Sequence, residues 1–135
     1  MGRPKTNRLG GGRANITSKS TTSFGQVNVL DDLITAGRDR NSAKLGPGSG
    51  VRCFCRHAKP GPGMNIVFMF TAGSFNGSTL SVFGRKSLTS KDAQELQVVG
   101  GTGAFRMARG YSISNTISYD LGEKYGVLEY KVYLI

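Results

Sequence analysis

Adjacent carboxylates at Asp31 and Asp32 are the first acidic residues in this chain. Two carboxylates side by side can divide general acid and general base work, and at a strand end they also serve as turn residues that hold nearby amides. His57 is the one histidine, and it sits beside Lys59-Pro60-Gly61-Pro62-Gly63. That context makes it a loop residue and leaves no Ser-His-Asp triad to assemble. Cys53 and Cys55 are the two cysteines, at i and i+2. On a strand they point to the same face, poorly placed to bond each other, so no disulfide is expected. They read as small buried residues, and without a second cysteine pair no zinc site is expected. No flavin or haem motif is present, so no cofactor is expected either.

The glycines of Val98-Val99-Gly100-Gly101-Thr102-Gly103 suggest a phosphate-cradling turn after a strand. The dinucleotide pattern would need glycine where Arg106 stands, and it would need a helix next. The chain instead continues as YSISNTISY, serine-rich and β-branched, which is strand composition. Gly100, Gly101 and Gly103 therefore read as the structural turn of a tight hairpin.

Seven strands position these groups. Phe24 to Leu30 alternates, with Val27 and Val29 on one face and Gln26 and Asn28 on the other, as in a half-buried strand that Asp31-Asp32 ends. Thr35 to Gly50 reads as a polar loop closed by Gly46-Pro47-Gly48. Val51 to Arg56 comes next, with Val51, Cys53 and Cys55 opposed to Arg52, Phe54 and Arg56. Asn65 to Thr71 is apolar on both faces, which argues for an oligomer that covers the outer one. Thr79 to Phe83, the two arms of the glycine hairpin and a last strand ending LEYKVYLI complete the set. On that last strand Leu128, Tyr130, Val132 and Leu134 share a face. Hairpin connections throughout predict an all-β, antiparallel up-and-down barrel.

At 135 residues the chain suits one domain, and 38% hydrophobic content suits a modest core. No stretch is apolar enough to span a membrane as a helix. A net charge of +10 predicts attraction to an anionic surface such as an acidic polysaccharide, nucleic acid or lipid head groups. Residues 1–23 carry Arg3, Lys5, Arg8, Arg13 and Lys19 with no acid, and they read as a disordered basic arm before a barrel domain at 24–135. Gly2-Arg3-Pro4-Lys5 resembles the core of an AT-hook, which would lay arginine in an A·T minor groove. Met1-Gly2 with Thr6 loosely fits a myristoylation pattern, with Arg3 and Pro4 against it. The arm has no apolar segment of secretory signal type. Asn15-Ile16-Thr17 and Asn76-Gly77-Ser78 are candidate N-glycosylation sequons.

Four stretches together resemble the plant dirigent protein family: FGQVNVLDDLIT (24–35), FNGSTLSVFGR (75–85), VVGGTGAFRMARGY (98–111) and LEYKVYLI (128–135). They stand in the family's order and spacing, from about Ser23 onward. The resemblance implies an eight-stranded antiparallel barrel of the dirigent and allene oxide cyclase type, here with about seven strands, assembled as a trimer or dimer. It implies a secreted, apoplastic, non-oxidative auxiliary protein. Such a protein holds phenoxy radicals of monolignols, made by a separate oxidase, for stereoselective coupling toward lignan or lignin. A relative acting on quinone methides by acid/base chemistry is the enzymatic variant. Asp32 and Thr116 match pocket positions of the family, whereas Lys86 and Gln94 stand where the family's coupling members carry aspartate and arginine. The family's first strand, signal peptide and bridge-forming cysteines have no counterpart here. An inactive, N-terminally truncated relative and a nucleic-acid-associated protein acting through Arg3, Pro4 and Lys5 are the alternatives.

Overall fold

Alternating β-branched and polar residues build strands along nearly the whole chain. The computed structural model describes residues 12–15, 17–20, 24–53, 63–86, 90–120, 122 and 125–135. Among them lie seven strands: β1 (Val27–Thr35), β2 (Lys44–Cys53), β3 (Gly63–Met69), β4 (Thr79–Arg85), β5 (Gln94–Thr102), β6 (Gly110–Asp120) and β7 (Tyr125–Leu134). They form one antiparallel sheet in sequence order.

The sheet curls into a half-barrel. Phe68 on β3 and Tyr130 on β7 meet edge to face with ring centroids 5.3 Å apart. Four strand spacings in a flat sheet would hold them ~19 Å apart. The hairpin between β1 and β2 also reaches β7, where Arg38 Nε lies 2.9 Å from Glu129 Oε2. The Arg40 guanidinium sits 4.7 Å above the Tyr125 ring. Met64, Ile66, Phe68, Leu80, Val82 and Leu96 anchor the buried concave face, with Leu30, Val98 and Phe105.

Several sequence expectations change. β1 continues to Thr35, so Asp31 and Asp32 lie within the strand instead of ending it. Its inward face begins with polar residues: Asn28, and Gln26 just before the strand, are buried and joined by a 2.9 Å hydrogen bond ahead of the core residue Leu30, while Val27 and Val29 are exposed. The predicted polar loop from Thr35 to Gly50 is largely strand, because Gly46-Pro47-Gly48 belongs to β2. Gly46 has φ +147°, and a Cβ on it would strike the Met69 carbonyl oxygen, as one on Gly50 would strike that of Asn65. The glycines thus let β2 and β3 approach where side chains could not.

The glycine hairpin is not tight. β5 runs through Gly100 and Gly101, with a bulge opposite Ser81/Val82, and pairing with β6 begins only at Val98↔Gly110. A 3₁₀ turn at Gly103–Phe105 lies between, entered by Gly103 at φ +62°.

Part of the expected disordered arm folds back on the barrel. Val27 donates its amide to Gly12 O, Ala14 to Gly25 O, and the buried Thr17 donates its hydroxyl to Phe24 O at 2.7 Å. Cys53 is half-buried and disulfide-bonded, contrary to the expectation of none. The same-face argument against a bond needs an extended strand through Cys55, and β2 ends at Cys53. Cys55, the other cysteine, lies outside the described residues, as do His57 and Arg3-Pro4-Lys5.

Candidate functional site

Curling leaves a cavity of about 650 Å³ between β1 with its following turn, the concave faces of β2 to β4, and β7. Its apolar walls come from core residues that also face the lumen, among them Met64, Ile66, Phe68 and Leu80. Its polar groups are fewer. Asp32 of β1, Arg52 of β2 and Tyr130 of β7 line it together. Alternation explains each placement, because Asp32 follows Asn28 and Leu30 at steps of two on the inward face. Arg52 follows Gly46, Gly48 and Gly50 in the same way.

The electrostatics are those of a half-closed site. Burial beneath the curled sheet raises the Asp32 carboxyl above its ordinary value; Arg52 opposes that shift and Asp31 adds to it. Asp32 nonetheless keeps surface open to the cavity. Burial also pushes the Tyr130 phenol up to about 12. The Ser114 hydroxyl, opposite Tyr130 across the β6–β7 register, pulls the other way, yet its Oγ makes no hydrogen bond of acceptable geometry. A carboxylate accepts hydrogen bonds, and a tyrosine that stays neutral remains a donor. Together they can fix the hydroxyl of an aromatic ligand whose ring packs on Phe68 or Leu80.

Of the residues picked from sequence, Asp32 is in the cavity wall and Thr116 is not. Thr116 lies on β6 opposite Leu128, which does line the cavity, and its buried hydroxyl lacks a hydrogen-bond partner. Asn15 and Asn76 are exposed. The serine of the second sequon is committed to the fold, since Ser78 is buried and its Oγ accepts the Ala104 amide at 2.9 Å. Sequence reasoning misses Arg52 and Tyr130 as site residues although their inward direction is legible in the alternation; the curvature that brings them to Asp32 is not. Lys86, just past β4, stands out in the sequence only as a replacement, and it has no exposed surface. Among the described residues no group of three or more His, Cys, Asp or Glu side chains could hold a metal ion.

Comparison with known proteins adds to this geometry. A family model described as "Dirigent-like protein" matches residues 3–135, so the likeness extends into the basic arm and does not stop near Ser23. Pterocarpan synthase 1 of Glycine max is 36% identical over 131 residues, which cover 97% of this chain and 70% of that protein. Dirigent protein 21 of Arabidopsis thaliana is 37% identical over 118 residues, covering 87% of this chain and 62% of the relative. The solved structure of the pterocarpan synthase dirigent protein GePTS1 superposes with a TM-score of 0.75 at 36% identity, over 82% of this chain and 64% of that one.

Proposed function

Because this chain belongs to the dirigent-like protein family, we propose that its half-barrel holds phenoxy radicals of the monolignol class and directs their stereoselective coupling, the oxidation being done by a separate oxidase. The observation that carries the reading is the cavity in which Asp32 and Tyr130 stand among apolar side chains such as Ile66, Phe68 and Leu80. Its size of about 650 Å³ falls within the ~300–1,000 Å³ that small-molecule sites occupy. Each radical contributes one unpaired electron to the new bond, so the protein adds no electrons and supplies orientation. Filling the trough with Leu128→Trp is expected to return product to a racemic mixture. Leu128 is only half-buried, so the thermal midpoint should hold within a few degrees. Undiminished product bias in a folded Leu128→Trp protein would contradict the placement of the ligand.

A second reading is favoured by the raised Asp32 carboxyl and by the pterocarpan synthases among the similar proteins. In it Asp32 exchanges a proton with a quinone methide, which would make the chain an enzyme. No observation on the described residues favours nucleic-acid binding, since the AT-hook-like residues lie outside them. Secretion to the apoplast, glycans at the exposed Asn15 and Asn76, and attraction of the +10 chain to anionic wall polymer accompany the family reading.

We further propose a homo-oligomer through the convex face. One cross-strand row runs Val29, Val51, Asn65, Phe83, Gln97, Tyr111 and Tyr133, each residue paired with the next. Its five large hydrophobic members are all exposed, and Tyr111 stacks on Tyr133 with centroids 4.9 Å apart. A second copy of this chain is the occupant that suits such a row. Phe83→Lys with Tyr133→Lys is expected to yield monomer by light scattering from an oligomeric parent. A monomeric parent, or an oligomer that survives both lysines, would exclude this face.

A further inference from the structure

We propose that the turn between β1 and β2, residues 36–43, is a strap across the cavity, and that its fastening to β7 sets how fast ligands enter and leave. The phenolic reading above supplies only the natural cargo of that gate.

β1 and β7 are the first and last strands of the sheet and do not pair with each other, so no backbone ladder closes the curl between them. Side chains cross the gap instead. Arg38 Nε donates to Glu129 Oε2 at 2.9 Å, and the Arg40 guanidinium stands 4.7 Å above the Tyr125 ring. All four residues line the cavity, as do Ala36 and Gly37 of the turn itself. The turn therefore forms part of the cavity wall while being tied to the far edge by side chains.

The turn is also built to move as one piece. Ala36 donates its amide to the Ala43 carbonyl, Ser42 to that of Asp39, and Asn41 to the Asp39 carboxylate at 2.9 Å. These bonds survive release from β7. A bulge between Ile34 and Thr35 interrupts the β1–β2 register just before the turn, where a hinge can absorb the change.

The fastenings are of the kind that opens in water. The Arg38 side chain is 63% exposed, and an exposed ion pair or cation–π contact holds weakly. Lys131 Nζ lies 3.7 Å from Glu129 Oε1, an alternative partner for the carboxylate once Arg38 lets go. The hydrogen bond from Arg38 holds the Glu129 carboxyl below its ordinary pKa, so the latch is charged at neutral pH.

The test is the exchange of two neutral probes, coniferyl alcohol and the fluorescent dye N-phenyl-1-naphthylamine, followed by stopped-flow mixing. Glu129→Gln removes the charge and keeps the volume. It is expected to speed both association and dissociation by roughly two- to fivefold, the factor that an exposed ion pair represents, with affinity held within about twofold. Loss of a direct ligand contact would speed dissociation alone. Raising the salt from about 0.05 M to about 0.5 M should carry the parent toward the variant's rates and leave the variant's own unchanged. The thermal midpoint should stay within about 2 °C, which separates a gate from a merely structural pair. Arg38→Gln severs the same latch from the other side and serves should Glu129→Gln fail to fold. Unchanged rates in the folded variants, or faster dissociation alone, overturn the inference for whichever probe binds. Dye exchange that behaves as expected, with no binding of coniferyl alcohol, keeps the strap and overturns the phenolic reading. Binding of neither probe overturns both.

Discussion

Asp32→Ala is expected to abolish product bias, and Asp32→Asn to reduce it only in part. A 99:1 preference between two product enantiomers needs ~2.7 kcal/mol of differential stabilisation, since each tenfold is about 1.4 kcal/mol. One hydrogen bond to a charged group contributes about 1.5–3 kcal/mol, so a single contact can carry the whole preference. The amide of the Asp32→Asn variant would keep a neutral hydrogen bond worth about 0.5–1.5 kcal/mol and hence a bias of roughly 10:1 or less. Asp32 lines the cavity with Arg52 and Tyr130, and the other carboxyl of its lining, Glu129, is paired with Arg38. The acid/base reading predicts a different pattern. There Asn is as damaging as Ala, because neither exchanges a proton, and turnover falls by about 10² to 10⁴. Chiral chromatography and initial rates on the two variants therefore separate orientation from catalysis.

Lys86→Met is expected to stabilise the fold. Burying an ion costs several kcal/mol in practice, and replacing buried ionic groups by apolar ones of similar volume has gained about 1–4 kcal/mol. For a domain of this size each kcal/mol should raise the thermal midpoint by roughly 3–5 °C. The pH dependence follows from the direction of the Lys86 shift. Its folded pKa is lowered from 10.5, so below the folded value both states hold the proton and the penalty is constant. Between that value and 10.5 the unfolded chain holds more protons, and stability rises with pH. The advantage of Lys86→Met should therefore shrink across that window. Tyr130, raised to about 12, works in the opposite sense: stability is full below its ordinary value of 10.0 and declines as the pH rises through 12. Comparing variant with parent at each pH removes that contribution. An advantage that grows toward alkaline pH would mean that Lys86 is not the buried cation described here.

The strand count and antiparallel order were legible from alternation and turn residues, and the family from four stretches of sequence. Which face turned inward was harder. In β1 the valines face out and Gln26 and Asn28 face in; in β6 Ser112 and Ser114 are buried while Tyr111 is exposed. Hydrophobic pattern assigns apolar residues to the inside, and here a partly polar lumen and a partly apolar exterior defeat it. Gly46-Pro47-Gly48 misled for a related reason. Those residues usually mark a loop, but glycine also serves where one backbone must lie against another, and only the partner strand shows which applies. Asp32 could be picked from its place in a matching motif. Its relation to Arg52 and Tyr130 could not, since it depends on a curvature that brings β1, β2 and β7 around one cavity.

The central claim is that this chain orients radicals it does not make. Its most direct test is coupling of coniferyl alcohol by a one-electron oxidant with increasing amounts of the protein, products being resolved by chiral chromatography. The account predicts that enantiomeric excess rises with protein concentration and saturates, while the rate of oxidant consumption stays unchanged. Racemic product at every protein concentration would contradict it.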